Sequence, residues 1–131
     1  MRWLIRRVIK KGKGSVSYEE DVHFGDVLTI GRGSDQAIFI PDLRVALDHA
    51  KVTALGNGQY KIESLILAGI RVNNDITYAT TVGPGAIVEI GTTRIQLLEP
   101  PVDHDAGVEV STIDKAELKA LKDAKALPTS L

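Results

Sequence analysis

Hydrophobic residues along this chain recur at every second position in short runs, and glycine, proline, asparagine and aspartate separate the runs. A period of two belongs to the half-buried β-strand, whose successive side chains point to opposite faces. Trp3 to Lys10 is the first such run, with Trp3, Ile5 and Ile9 on one face and Leu4 and Val8 on the other. Lys11-Gly12-Lys13-Gly14 is a turn signal. Ser15 to Phe24 forms a second strand region, and Gly25-Asp26 turns into the strand Val27 to Ile30. Ala37 to Ile40 is a short apolar strand stopped by Pro41-Asp42. Lys51 to Leu55 and Gln59 to Ser64 read as a hairpin across Gly56-Asn57-Gly58. Arg71-Val72 precedes the turn Asn73-Asn74-Asp75, Ile76 to Thr80 is one further strand, and Ala86 to Ile90 with Thr93 to Leu98 makes the last hairpin. Many short strands with frequent turn signals indicate a β-sandwich. No helix-period segment occurs before residue 110, which argues against α/β enzyme folds.

The pattern changes after Leu98. Pro100-Pro101 reads as the end of the domain, and Val102 to Val110 as a polar, acidic linker. Asp114 is placed as an N-cap with Glu117 three residues on, a capping-box start. Leu118, Leu121, Lys122 and Lys125 follow, and Pro128 stops the run. The expected division is a sandwich over residues 1–99, a linker over 100–113 and a tail over 114–131 holding one short helix and leading to a downstream region.

Composition narrows the classes. The 131 residues are 44% hydrophobic and 25% charged, which fits one ordinary globular domain. A formal net charge of -1 and only 5% aromatic residues speak against nucleic-acid binding. The chain has no cysteine, so disulfides and thiol chemistry are excluded. No apolar run is long enough to span a bilayer, and arginines interrupt the apolar start, so neither membrane insertion nor a signal peptide is expected and a cytoplasmic location follows by default. Basic residues cluster at Arg2, Arg6, Arg7, Lys10, Lys11 and Lys13; Glu19-Glu20-Asp21 follow closely enough to pair with them across a hairpin.

Candidate chemistry gathers between Leu28 and Val52. A strand ends at Gly31, and Arg32 stands just beyond it, where a loop presents a fixed cation. Gly31-Arg32, His49-Ala50, Gly69, Val72-Asn73 and Gly85-Ala86-Ile87-Val88-Glu89-Ile90-Gly91 follow one another in the order and spacing of the forkhead-associated (FHA) domain. Residues 1 to 99 therefore resemble that family. The resemblance implies an antiparallel β-sandwich of FHA (SMAD/FHA-like) type with about 10–11 short strands, and a module that recognises phosphothreonine peptides. It makes Arg32 the phosphate-binding guanidinium, Gly31 and Gly69 backbone positions, and His49 a brace between loops.

The same resemblance exposes departures. The family's phosphate-binding Ser falls on Ala46, the following Arg on Leu47 and the peptide-holding Asn on Ala68. Ser34, Arg44, Arg71 and Asn73 remain as further phosphopeptide-binding candidates beside Arg32. Leu43, Leu47, Ile66 and Ile70 lie in loops that should be polar, and are candidates for an apolar protein contact. Alternation requires either Leu65 and Leu67 or Ile66 to turn inward. No cofactor and no metal site is expected: His23 and His104 lack partners at ligand spacing, and no nucleophile or phosphate-cradling motif is present. The expectation is a non-enzymatic interaction module for a protein partner, phosphorylated or not, with a homodimer or an intramolecular partner domain as variants. The family's habits place it in the cytoplasm, at the cytoplasmic face of a membrane if the parent protein is membrane-bound.

Overall fold

The structure is a computed structural model and describes residues 1–11 and 14–112. Twelve strands appear among these residues: β1 (Arg2–Lys11), β2 (Ser15–Phe24), β3 (Val27–Gly31), β4 (Ile38–Phe39), β5 (Ala50–Ala54), β6 (Tyr60–Ser64), β7 (Ile70–Val72), β8 (Asp75–Thr77), β9 (Ala79–Val82), β10 (Ile87–Ile90), β11 (Thr93–Leu98) and β12 (Ala106–Thr112). They form a seven-stranded sheet in the order β2-β1-β12-β11-β10-β7-β8 and a five-stranded sheet in the order β4-β3-β5-β6-β9. The inward rows of both sheets make one core. Trp3, Leu28, Ile30, Val52, Tyr60, Ile62, Val88, Ile95, Leu97 and Val108 are buried in it, and each alternates with a more exposed neighbour. Fully burying a large aliphatic side chain contributes about 1.5–3 kcal/mol.

The all-β sandwich agrees with the sequence expectation, and four details differ. First, both sheets are mixed, because β1 pairs β12 and β3 pairs β4 in parallel. Second, residues 76–80 are two strands rather than one. β8 pairs β7 in the larger sheet and β9 pairs β6 in the smaller, with Tyr78 at the crossing.

Third, the stretch read as a linker over 100–113 contains β12, inserted between β1 and β11. Val108 and Val110 are its core face, and Glu109 and Ser111 alternate with them. Pro101 does not end the domain. Its ring lies over Gly107, where an added Cβ would come within 2.9 Å of Pro101 Cγ and Cδ. Tyr60 fixes the junction from the opposite sheet, its hydroxyl donating to the Leu98 carbonyl at 2.7 Å and accepting the Gly107 N–H at 3.0 Å. Trp3 tilts against the Tyr60 ring at a centroid distance of 5.7 Å. Fourth, Ile70 is core and only 3% exposed, which removes it from the apolar contact residues: as the first residue of β7 it shares the inward face with Val72. The expected tail helix over 114–131 lies outside the described residues.

The basic and acidic clusters meet across the β1–β2 ladder, Arg6 with Glu20 at 3.8 Å and Arg7 with Asp21 at 3.6 Å. Exposed pairs of this kind contribute about 0–1 kcal/mol each.

Candidate functional site

Strand polarity gathers the loops at one end. β3 ends at Gly31, β5 begins at Ala50, β6 ends at Ser64 and β7 begins at Ile70, so segments 32–37, 40–49 and 65–69 converge there. The β10–β11 turn reaches the same end, since an added Cβ on Gly91 would stand 2.9 Å from Asp42 Oδ2 and 3.2 Å from Val45 Cγ2.

Arg32 leaves β3 into the first of these loops, and the second loop holds it. Its backbone N–H donates to Ala46 O at 2.9 Å and its side-chain Nε donates to Val45 O at 3.0 Å. Gly33 N–H reaches Leu47 O at 3.1 Å. This close approach of two backbones explains Gly31: a Cβ there would sit 2.2 Å from the Leu47 carbonyl oxygen. Val45, buried at 1% exposure, anchors the second loop in the core and so fixes the carbonyl that orients the guanidinium. Nε is committed to the scaffold.

His49 connects the layers of this end. Its ring Nδ1 accepts the Ala46 N–H at 3.0 Å, its own N–H donates to Ile30 O at 2.9 Å, and its carbonyl accepts the Leu65 N–H at 2.9 Å. One residue thus ties β3, the 40–49 loop and the 65–69 loop. Burial pushes its pKa below the ordinary imidazole value, which keeps Nδ1 unprotonated and able to accept.

The other candidates are distributed as follows. Ser34 is exposed in the Arg32 loop. Arg44 folds back on Asp42, with Nε donating to Oδ1 at 3.1 Å and Nη2 to Oδ2 at 2.7 Å. Those side-chain hydrogen bonds, with the Arg44 backbone N–H on the same carboxylate, hold Asp42 at a pKa of about 2. Arg71 lies on the outward face of β7 and donates to Asn74 O at 3.1 Å. Asn73 occupies the β7–β8 turn with φ of 49° and clamps the start of β10, its side-chain oxygen accepting the Ile87 N–H at 2.9 Å. The structure therefore brings Arg32, Ser34 and Arg44 to the loop end. It ties Arg71 and Asn73 to the β7–β8 turn.

Around Arg32 the rim is apolar. Leu43 is 90% exposed, Leu67 is 96% and Leu47 is 54%; Leu65 also faces outward, while Ile66 turns in and is half-buried. Ala46 is half-buried and Ala68 exposed. Two rim residues escaped the sequence reading, Ile76 and the 62% exposed Tyr78. They flank Gly69, whose added Cβ would meet Ile76 Cγ2 at 3.0 Å and Tyr78 Cε1 at 3.5 Å. Their signal was an apolar pair inside a run too short to bury both faces. Among the described residues no group of three His, Cys, Asp or Glu side chains could hold a metal ion.

Residues 28–91 match the FHA domain family. No curated protein matches the sequence. Solved structures with the same fold include the FHA domain of the CT664 protein from Chlamydia trachomatis, at 22% identity and a TM-score of 0.58 over 77% of this chain and 100% of that one. An FHA domain solved for the analysis of phosphothreonine-dependent FHA domain interactions has 22% identity and a TM-score of 0.55 over 75% and 95% of the two chains. Mycobacterium tuberculosis EmbR, in complex with a low-affinity phosphopeptide, has 21% identity and a TM-score of 0.54 over 73% of this chain and 24% of EmbR. The chain thus spans about a quarter of EmbR's length. The matched segment runs from Leu28 in β3 to the β10–β11 turn and includes the whole loop end, so this part of the β-sandwich is similar to an FHA domain.

Proposed function

We propose that the domain is a protein-interaction module whose loop end binds a protein partner without strict dependence on phosphothreonine. The observation that carries this reading is the apolar rim of Leu43, Leu47, Leu65 and Leu67 around Arg32. Exposed apolar patches of this kind mark contacts with protein. By the resemblance, Ala46 and Ala68 stand where a hydroxyl and an amide would hold phosphate and peptide, and Leu47 stands where a second cation would be. A charge-assisted hydrogen bond contributes about 1.5–3 kcal/mol. Losing two of them weakens a phosphopeptide complex by roughly 10²–10⁴-fold. The partner is a protein surface with apolar side chains, on another chain, on a second copy or in another domain of a cytoplasmic parent protein.

Arg32 supports a second reading, phosphothreonine recognition with other groups standing in for the missing ones. Its guanidinium is oriented by Val45 O, and fold relatives include EmbR, solved in complex with a low-affinity phosphopeptide.

A titration of isotope-labelled protein with a degenerate phosphothreonine peptide pool, run beside the unphosphorylated pool and over a dilution series, separates the two. Phosphate-dependent shifts confined to Arg32, 43–47 and 65–70 would overturn the first reading in favour of the second. Equal responses to both pools, or concentration-dependent shifts in the same loops, are the expected result.

A further inference from the structure

β2 is the edge of the seven-stranded sheet, and β1 is the only strand paired with it among the described residues. Its ten residues are nearly twice the usual strand length of about 5–6. Nothing in the core requires that length, since no side chain of β2 is buried. Residues of an antiparallel ladder turn their N–H and C=O alternately toward and away from the partner strand. The free side of β2 therefore offers a row of backbone donors and acceptors about 34 Å long.

The two side-chain rows of β2 are inverted relative to the rest of the sandwich. Core residues Trp3 and Ile5 stand opposite His23 and Asp21, so the inward row of β2 is Ser15, Ser17, Glu19, Asp21 and His23. The outward row is Val16, Tyr18, Glu20, Val22 and Phe24, with Tyr18 59% and Phe24 73% exposed. An edge strand that only closed the sheet would carry its apolar residues inward and its polar residues to solvent. A strand added beside β2 covers the apolar row from the side, as cross-strand pairs do. An open hollow of about 270 Å³ between Arg6, Tyr18 and Glu20 seats one more side chain on that face.

Charge selects the occupant. The centre of the edge carries Glu19, Glu20 and Asp21, and β12 adds Glu109 on the outward face. Among the described residues, two guanidinia stand against these carboxylates. Arg6 is 3.8 Å from Glu20 and 3.2 Å from Glu109, and Arg7 is 3.6 Å from Asp21. The other cations of β1, Arg2, Lys10 and Lys11, stand opposite the ends of the strand, at Phe24, Val16 and Ser15. The inward charges guard the edge against indiscriminate pairing. A strand with cations opposite Glu19 and Asp21 is the exception. A second copy does not fit, because β2 has no lysine or arginine. A two-fold antiparallel pairing centred on the strand sets Glu19 against Glu19 or Glu20 against Glu20, where like charges repel.

We infer that the free edge of β2 is a docking site separate from the loop end, and that it takes an extended segment of a partner protein as an added strand of the seven-stranded sheet. The segment carries lysine or arginine opposite Glu19 and Asp21, and apolar residues at every second position beside Val16, Tyr18, Val22 and Phe24. Backbone hydrogen bonds give such strand addition its affinity, and alternate side chains give it specificity.

The test titrates the isotope-labelled 131-residue chain with two synthetic peptides as long as β2. Both alternate valine with threonine; one has lysine at the two central threonine positions, the other glutamate. The lysine peptide is expected to slow hydrogen exchange at alternate amides of residues 15–24 and to shift that strand, leaving 43–47 and 65–69 unmoved. It should bind roughly tenfold more tightly than the glutamate peptide. Glu19→Lys with Asp21→Lys should reverse the preference. Tyr18→Ser with Phe24→Ser, both at exposed positions, should weaken the lysine peptide several-fold while core shifts stay unchanged. No response at millimolar peptide, equal affinity for the two peptides, an unreversed preference, or a response centred outside 15–24 overturns the inference. Concentration-dependent protection of β2 in the peptide-free chain also overturns it, since the occupant is then a second copy.

Discussion

Replacing Tyr60 by Phe tests the joint on which the position of β12 depends. The ring stays, and with it the contact to Trp3 at 5.7 Å, so the substitution removes a hydroxyl and little packing. That hydroxyl donates to Leu98 O at 2.7 Å and accepts Gly107 N–H at 3.0 Å, in a spot where Tyr60 is 1% exposed and Gly107 is buried. Burial is also what raises the Tyr60 pKa above the ordinary phenol value. Without the hydroxyl, the Gly107 N–H loses its acceptor and the Leu98 carbonyl one donor. An orphaned buried donor costs about 1–3 kcal/mol, and the lost bond to the carbonyl adds about 1 kcal/mol, so a loss of about 2–4 kcal/mol is expected. For a domain of this size that lowers Tm by roughly 8–16 °C. Urea unfolding of both proteins gives the free energy, and hydrogen exchange at the Gly107 amide gives the local effect, with faster exchange in Tyr60→Phe. A variant within about 0.5 kcal/mol of the parent, the usual range of neutral surface changes, with unchanged Gly107 exchange refutes the reasoning.

Three further outcomes follow from the loop end. Gly31→Ala drives a methyl against the Leu47 carbonyl, so a loss of about 1–3 kcal/mol with shifts spreading over Arg32 and 45–47 is expected by thermal melt and amide spectra. Because burial lowers the pKa of folded His49 from 6.5, the unfolded chain binds a proton more readily than the folded one. The stabilisation is fully present above pH 6.5 and fades as pH falls through the folded pKa; urea midpoints should drop on acidification, and His49→Gln should flatten that dependence. The Asp42 carboxyl should titrate near 2 by NMR and move back toward 3.8 in Arg44→Ala; an unmoved midpoint would mean that Arg44 is not its partner in solution.

The sandwich was legible in the sequence because strand alternation is a local property. Leu28 and Ile30, Val52 and Ala54, and Ile95 and Leu97 face the core wherever their strands pair; Gly69 and Asn73 mark positive-φ backbone that few other residues adopt, and Gly31 marks a close backbone approach that leaves no room for a Cβ. Order and spacing of the Gly-Arg, His-Ala and late glycine motifs placed Arg32 in the loop after its strand and His49 at the opening of the next strand, which begins one residue later at Ala50.

What the sequence did not decide depends on partners far along the chain. Val108 and Val110 alternate as well as any strand, yet two prolines and three acidic residues precede or interrupt them, and only β1 on one side and β11 on the other make that segment a strand. Ile70 counted as loop until β10 paired with β7 and turned it inward, whereas Tyr78 became rim because the strands on either side of it joined different sheets. Sequence alone determined the period and the breakpoints, since both rest on each residue's own preferences. Tertiary structure decided the strand order, the placing of the end of β12 beside the β10–β11 turn and the loop acceptor of the Arg32 guanidinium, because hydrogen bonds between segments exist only once the sheets have closed.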